Sequence, residues 1–361
     1  MADLRALLEK LSNEVGVSGR ERAVRALVKS EIEGLVDRLE VDALGNLITY
    51  KAGDGPEPRL RIMLSAHMDE VGFMITKIEK NGLLRFASVG GPDPRTLLGK
   101  RVVIGDERVP GIIGAPPPHL LSRDQLNRSV SIDDMTIDIG AAGDRDANGK
   151  VKAGDYATFA TRFRVLSDDP MFPTVRGKAF DDRVGCTVLI GLLAERYPVD
   201  IIALFSVQEE VGLRGARVAA YRTEPDAAIA LEGNTCDDTP RPPDEEATPV
   251  TRVGDGPAIT IMDRSFFTHP GMLRLFQETA AAEGIAIQYR APGFGGTDSG
   301  AIHLSRAGVP SIQAGIPCRY IHGPASILNM HDLTNTVRLV TAALRRINRG
   351  YLIREASDRS S

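Results

Sequence analysis

The sequence predicts an α/β fold, a mostly parallel sheet covered by helices, with a small all-β domain inserted into it. Three observations carry this. At both ends of the chain, apolar strand-like runs take turns with amphipathic helical segments, the pattern that buries a parallel sheet on both faces. Between residues 71 and 165 the alternation stops, and short β-rich runs follow one another between glycine, proline and aspartate. The chain's 361 residues also exceed one ordinary domain of roughly 100–200 residues. The expected organisation is a catalytic α/β domain from 1–70 and 166–361, with 71–165 as a barrel-like β domain that serves assembly or gates substrate.

In order, "MADLRALLEKLSNEV" reads as an amphipathic helix; it has no continuous apolar core of the signal-peptide kind. "RERAVRALVKSEIEGLVDRL" has helical spacing throughout, and "RIMLSAHMDE" is a short apolar run ending in polar chemistry. "VGFMITKIEKNGLLRFASVGG" is two strands around Asn81-Gly82, a pair suited to a type I′ turn. "GKRVVIG", "VPGIIGAPPPH", "MTIDIGAAG" and "GDYATFATRFRVL" continue as strands. "DDRVGCTVLIGLLAERY" is then helical and "IIALFSV", "AAIALEG" and "PAITIMD" are strands. "GMLRLFQETAAAEG" is a helix, and "TNTVRLVTAALRRINRGYL" closes the chain with another. "NTCDDTPRPPDEEATPVTRVGDGP" reads as an exposed loop.

Composition excludes several classes. Hydrophobic and charged contents of 42% and 25% are ordinary for a globular protein, and a net charge of -4 gives no reason to expect nucleic acid or anionic lipid as partner. No run approaches the roughly 20 apolar residues of a membrane span. Three widely spaced cysteines, Cys186, Cys236 and Cys318, make neither a disulfide framework nor a cysteine zinc site, so a reducing cytoplasm is expected.

Ligand sites in open α/β sheets form beyond the carboxyl ends of the strands. Here those ends carry His67 and Asp69, Glu209 and Glu210, and Glu232; Asp181 and Asp182 open a helix, and His322 follows the candidate strand "PSIQAGI". Each has an ordinary structural reading when taken singly: Asp181-Asp182 as a helix N-cap, Glu209-Glu210 as a helix-dipole partner, His67 as a satisfied strand-end histidine. Together they bring more negative charge to one edge than can stay ionised without a counter-charge. A pair of divalent metals resolves that, and oxygen plus imidazole suits zinc, cobalt or manganese. A two-metal site needs one spare carboxylate to take a proton from water, so one member of the Glu209-Glu210 pair would bind metal and its neighbour act as base. His67 and Asp69, two apart on a strand, share a face, so Asp69 is expected to hold the other imidazole nitrogen.

The ordered set "SAHMDEVGFMI", "GKAFDDRVGC", "SVQEEVGLRGA", "GGTDSGAIHLSRAGVP" and "RYIHGP" resembles the M42 metallo-aminopeptidases, the tetrahedral and glutamyl aminopeptidases, over nearly the whole chain. The resemblance implies that Asp181 bridges two metal ions, Zn2+ or Co2+. His67 and Glu232 complete one, and Glu210 and His322 the other. It implies Glu209 as general base, Asp69 as the partner of His67, peptides as substrates, and a homo-oligomer, in some members a dodecamer built from dimers. Thr297 and Asp298 in "GFGGTDSGAIH" are either a helix cap or part of the substrate pocket. His119 in "PPPHLL" is a candidate to reach a neighbouring subunit's active site; His269 and His331 read as structural.

Three positions in two stretches depart from the family. It usually has aspartate where this chain has Glu232, and in related zinc peptidases glutamate there goes with carboxypeptidase or deacylase activity. Cys318 and Gly323 stand where leucine and serine are commoner. The rival readings are therefore a metal-dependent carboxypeptidase or N-deacylase, then an endoglucanase-type glycoside hydrolase. The last needs only two carboxylates and leaves His67, Asp181 and His322 without a purpose.

Overall fold

Four parallel strands form the centre of the large sheet, side by side in the order Asp200–Ser206, Arg61–His67, Ala227–Cys236 and Ser311–Arg319. The computed structural model describes residues 3–123, 128–240, 250–290 and 295–353. Part of the proline- and acid-rich loop, residues 241–249, and Gly293 and Phe294 of "GFGG" lie outside them. Among the described residues the sheet has 11 strands. Its flanks are antiparallel: Leu47–Lys51 and Arg38–Val41 on one side, and Ser326–Asn329, Thr174–Gly177 and Arg164–Ser167 on the other. The sheet is thus mixed rather than mostly parallel. Parallel neighbours need a crossover helix, and Phe180–Leu193 and Arg214–Thr223 supply crossovers only into the centre.

The two faces of that centre differ, because side chains alternate along a strand. Ile62, Leu64 and Ala66 face one way with Ile201, Ala203, Phe205, Ile229, Leu231, Ile312 and Ile316, in the main core under the helices Leu4–Asn13, Phe180–Leu193 and Met330–Arg346. Met63, Ile202, Leu204 and Ala228 face the other way, onto Ala216, Ala219, Ala220 and Ile302 of a thinner helical layer. Farther along the strands that second face turns polar: Ser65 and His67, Ser206, Glu232 and Asn234, and Gln313. The chemistry gathers where that layer stops.

The strands Gly72–Ile78, Leu84–Val89, Thr136–Asp138, Val109–Gly114, Arg101–Ile104 and Tyr156–Phe159 close a barrel in that spatial order. It has its own core, in which Phe73 meets Phe86 and Phe159 edge-on at 5.1 and 5.6 Å between centroids. The turn at Asn81-Gly82 is not type I′. Only Gly82 has positive φ, and Glu79 N–H bonds Leu83 O around a three-residue loop, the wider hairpin whose last position favours glycine. "GDYATFATRFRVL" is two strands rather than one, because Arg164–Ser167 leaves the barrel for the large sheet. The second helix is also shorter than its periodicity suggests, Arg22–Glu31, and "RLEV" is an edge strand. No helix among the described residues is long and apolar enough to cross a membrane.

A buried ion cluster ties the barrel to the sheet. Glu70 accepts from Lys178 Nζ at 2.7 and 2.9 Å, Thr158 Oγ1 at 2.8 Å, Gly16 N at 3.0 Å and Arg183 at 3.4 Å. Arg183 also donates to the carbonyls of Met68 and Leu11. Burial pulls the Lys178 ammonium down to about 8, although Glu70 opposes it. Glu70→Ala would leave two buried cations without their anion, so it should cost about 3–5 kcal/mol. The midpoint of urea unfolding measures this; an unchanged midpoint would show that the cluster contributes nothing.

Candidate metal centre

Strand ends deliver the site. His67 ends its strand, and Glu209 and Glu210 follow the strand Asp200–Ser206 after Gln208, whose positive φ turns the chain. Glu232 lies within Ala227–Cys236, opposite Gly315, where a Cβ would run into the side chain of Asn234. Asp181 and Asp182 have non-helical backbone angles, so the regular helix begins after them and both carboxylates point back at the strand ends. His322 sits at positive φ in the turn after Ser311–Arg319.

Asp181 stands between the two histidines. Its Oδ1 lies 3.2 Å from His67 Nε2 and its Oδ2 3.5 Å from His322 Nε2. On the first side, Glu232 Oε2 is 3.7 Å and Glu209 Oε2 3.8 Å from His67 Nε2. On the second, Glu210 Oε2 is 3.3 Å from His322 Nε2. Both imidazoles are held by their other nitrogen. His67 Nδ1 is 3.0 Å from the carbonyl of Asp69, and His322 Nδ1 is 3.0 Å from that of Gly91, next to the barrel. A carbonyl can only accept, so each Nδ1 carries a proton, and each Nε2 faces Asp181, offering it a proton or, once that proton is displaced, a lone pair to a cation.

Lone pairs facing carboxylates need a cation between them. Burial disfavours the His67 imidazolium, yet Glu209, Asp181 and Asp69 outweigh it and hold its pKa well above the histidine value. His322, likewise opposed by burial, rises to about 9 beside Asp181 and Glu210. Burial raises Glu210 to about 7 against the pull of His322, and pushes Glu209 and Glu232 well up. Asp181, although buried, is drawn down by both imidazoles. Protons thus supply the positive charge that the donor set demands. Two further oxygens, Glu210 Oε1 and Glu232 Oε1, are buried without a hydrogen-bond partner. Oxygen and imidazole donors in two groups, each within 4.8 Å, suit two divalent cations that would displace the protons.

Asp182 falls in one of those groups with His67 and Glu232. Its oxygens are already engaged, however. Oδ2 accepts from His67 N, and Oδ1 from Gly185 N and Gly233 N, at 2.9 to 3.1 Å. Asp182 pins three backbones together, and a Cβ at Gly185 would come within 2.4 Å of its carboxylate. Asp69 lies beside His67 and has further partners. Its carboxylate is 3.5 Å from His67 Nδ1, farther than its own carbonyl, and also accepts from Glu209 N at 3.0 Å, Glu210 N at 3.2 Å and Ser18 Oγ at 2.6 Å. It fixes the two glutamates relative to the histidine.

A cavity of about 590 Å³ opens from the metal groups, lined on its far side by Asn234, Arg290, Thr297 and Gln313. Thr297 belongs to it. Asp298 does not: its carboxylate lies beneath the strand ends and accepts from Ser65 Oγ at 2.8 Å and Ser206 Oγ at 2.5 Å, because the helix Asp298–Ile302 packs on that face of the sheet. His119 is exposed in the short helix Pro118–Leu120, away from the residues lining this cavity. Sequence reasoning missed Arg290, Asn234 and Gln313, and the anchoring role of Asp182; an arginine ending the strand Gln288–Arg290 gave no local sign of a site.

The profile of the M42 glutamyl aminopeptidase family matches residues 45–339. A putative aminopeptidase of Acetivibrio thermocellus is 40% identical over 345 residues, 95% of this chain and 98% of that one. The solved TET aminopeptidase of Thaumarchaeota archaeon SCGC AB-539-E09 superimposes with a TM-score of 0.90 at 35% identity, over 97% of this chain and 98% of its own. The Pyrococcus horikoshii TET1 peptidase, which can assemble into a tetrahedron or a large octahedral shell, superimposes with 0.82 at 34% identity, over 96% and 100%. With matches of this extent in sequence and in fold, the chain is a peptide hydrolase and belongs to the M42 glutamyl aminopeptidase family.

Proposed function

We propose that the chain is a two-metal aminopeptidase that removes N-terminal residues from peptides. The observation that carries this is Asp181, with one oxygen toward each histidine and a separate glutamate on either side. His67 and Glu232 would hold one divalent ion, Glu210 and His322 the other, and Asp181 both, with Zn2+ or Co2+ suited to these donors. Bound there, the ions would polarise the scissile carbonyl and lower the pKa of water. Among the described residues no backbone N–H donates to the Glu209 carboxylate, which is therefore free to take a proton from the attacking water and return it to the leaving amine. Asp69 positions it. The carboxylates of Glu209 and Glu232 at the cavity's edge favour the ammonium of a free N-terminus.

Acetylating that N-terminus removes its charge and adds bulk, so kcat/KM should fall at least about tenfold. Paired assays of free and N-acetylated peptides with zinc or cobalt present check this. Equal cleavage of both, with loss on C-terminal amidation, would replace the reading by a carboxypeptidase and give Glu232 its meaning.

The 71–165 segment is proposed as a domain for assembly or substrate gating, supported by its closed barrel and by the contact of Gly91 with His322. The same proposal includes a homo-oligomer, as the TET1 relative's assembly suggests, with His119 on the exposed barrel surface as a candidate to enter a neighbour's cavity. Light scattering should give a mass several times the chain's 38.9 kDa. A monomer would remove the assembly role.

A further inference from the structure

Glu21 opens the helix Arg22–Glu31, yet its carboxylate makes no capping bond to that helix. A glutamate in that place ordinarily faces the positive end of its own helix or solvent. This one is only 4% exposed, and its Oε1 accepts from Gly19 N at 2.6 Å and from Gln208 N at 3.2 Å. The second bond joins positions 187 apart in the chain and ends on the residue before Glu209.

Gln208 is where the turn is decided. Its φ of 56° puts a non-glycine residue in the left-handed region, a costly conformation that persists only where the surroundings hold it. A partner on the Gln208 N–H fixes the peptide plane from which that φ is set. The neighbours are held as well. Val207 N donates to Asn46 Oδ1 at 3.0 Å, and Glu209 N and Glu210 N donate to the two oxygens of Asp69. Successive backbone N–H groups from Val207 to Glu210 thus end on side chains from three other segments of the chain. Asn46 holds the near side of the turn and Asp69 the far side. Glu21 holds the pivot. The segment that carries Glu21 is itself tied to the strand end behind His67, because Val17 bridges Glu70 and Ser18 Oγ donates to Asp69.

We propose that Glu21 is a positioning residue for Glu209. By bonding the Gln208 N–H it keeps the left-handed turn that aims the Glu209 carboxylate at the metal groups, 3.8 Å from His67 Nε2. This rests on the reading of Glu209 as general base. Glu21 is not among the residues lining the cavity, so its effect on the reaction passes through the turn. The turn needs an acceptor oxygen at this reach, and charge is no part of the requirement. A glutamine supplies that oxygen. An aspartate keeps the charge but falls one methylene, roughly 1.5 Å, short.

Steady-state kinetics on leucyl p-nitroanilide, with zinc or cobalt loaded, separate reach from charge. Glu21→Asp should lower kcat at least about tenfold, since displacing a catalytic group by about 1 Å can cost about 100-fold. KM should stay within about twofold and metal content should be unchanged, because the loss falls on the chemical step alone. Aspartate is favoured at the start of a helix, so this variant keeps its fold. Glu21→Gln should remain within about threefold of wild type in kcat. The effect should also vanish once Glu209 cannot act: in a Glu209→Gln background, Glu21→Asp should change kcat by less than about twofold. A purely structural role would lower kcat by the same factor in both backgrounds. Wild-type kcat in Glu21→Asp, equal losses in Glu21→Asp and Glu21→Gln, or an undiminished loss in the Glu209→Gln background overturns the proposal. Full activity of metal-loaded Glu209→Gln by itself would mean that the general-base reading had failed, and would take this proposal with it.

Discussion

Glu209→Gln is expected to lower kcat by about 10²–10⁴ while leaving the metal content unchanged, the weight of a lost general base. The substitution keeps the shape of the side chain. The backbone N–H of residue 209 still donates to Asp69, so the turn that presents it is preserved. What disappears is, among the described residues, the only acid near His67 that is neither a candidate ligand nor held by backbone hydrogen bonds. Glu210→Gln, one residue on, should behave differently, because its carboxylate faces His322 and has an oxygen without a partner. It should weaken metal binding first and activity as a consequence. Steady-state kinetics beside metal analysis of both variants separates the roles, and interchanged phenotypes would reverse the assignment.

Asp181→Ala should abolish activity and remove both ions, where wild type is expected to bind about two per chain. Among the described residues no other side chain turns one oxygen to each histidine, so its loss opens both groups at once. Normal metal content in the variant would sink the bridging role. The same site predicts a pH dependence of uptake. With no metal bound, His322 holds its proton to about pH 9 and Glu210 to about pH 7, and both must lose it to ligate. Metal binding near neutrality should therefore release protons, and affinity should fall as pH is lowered. Calorimetry in buffers of different ionisation enthalpy reads that release directly.

The sequence by itself picked out the residues that the fold gathers at the candidate centre. His67, Glu209, Glu210 and Glu232 were legible because each ends or follows an apolar run whose length and composition announce a buried strand, and strand ends converge. The barrel was legible as a break in periodicity between residues 71 and 165. Tertiary structure decided how those residues are held. Asp69 reads as a neighbour of His67 two residues away, but only the fold shows that its carboxylate also reaches the backbones of Glu209 and Glu210, 140 and 141 positions along the chain. Asp298 reads as either a helix cap or a pocket residue, and it is buried against Ser65 and Ser206, because the face that a short helix covers depends on the strands beneath it. The antiparallel flanks of the sheet and the cation at Arg290 were invisible for one reason. Strand pairing, and the lack of an anion beside an arginine among the described residues, are relations between distant segments, and local patterning reports only what a segment buries, not what it is buried against.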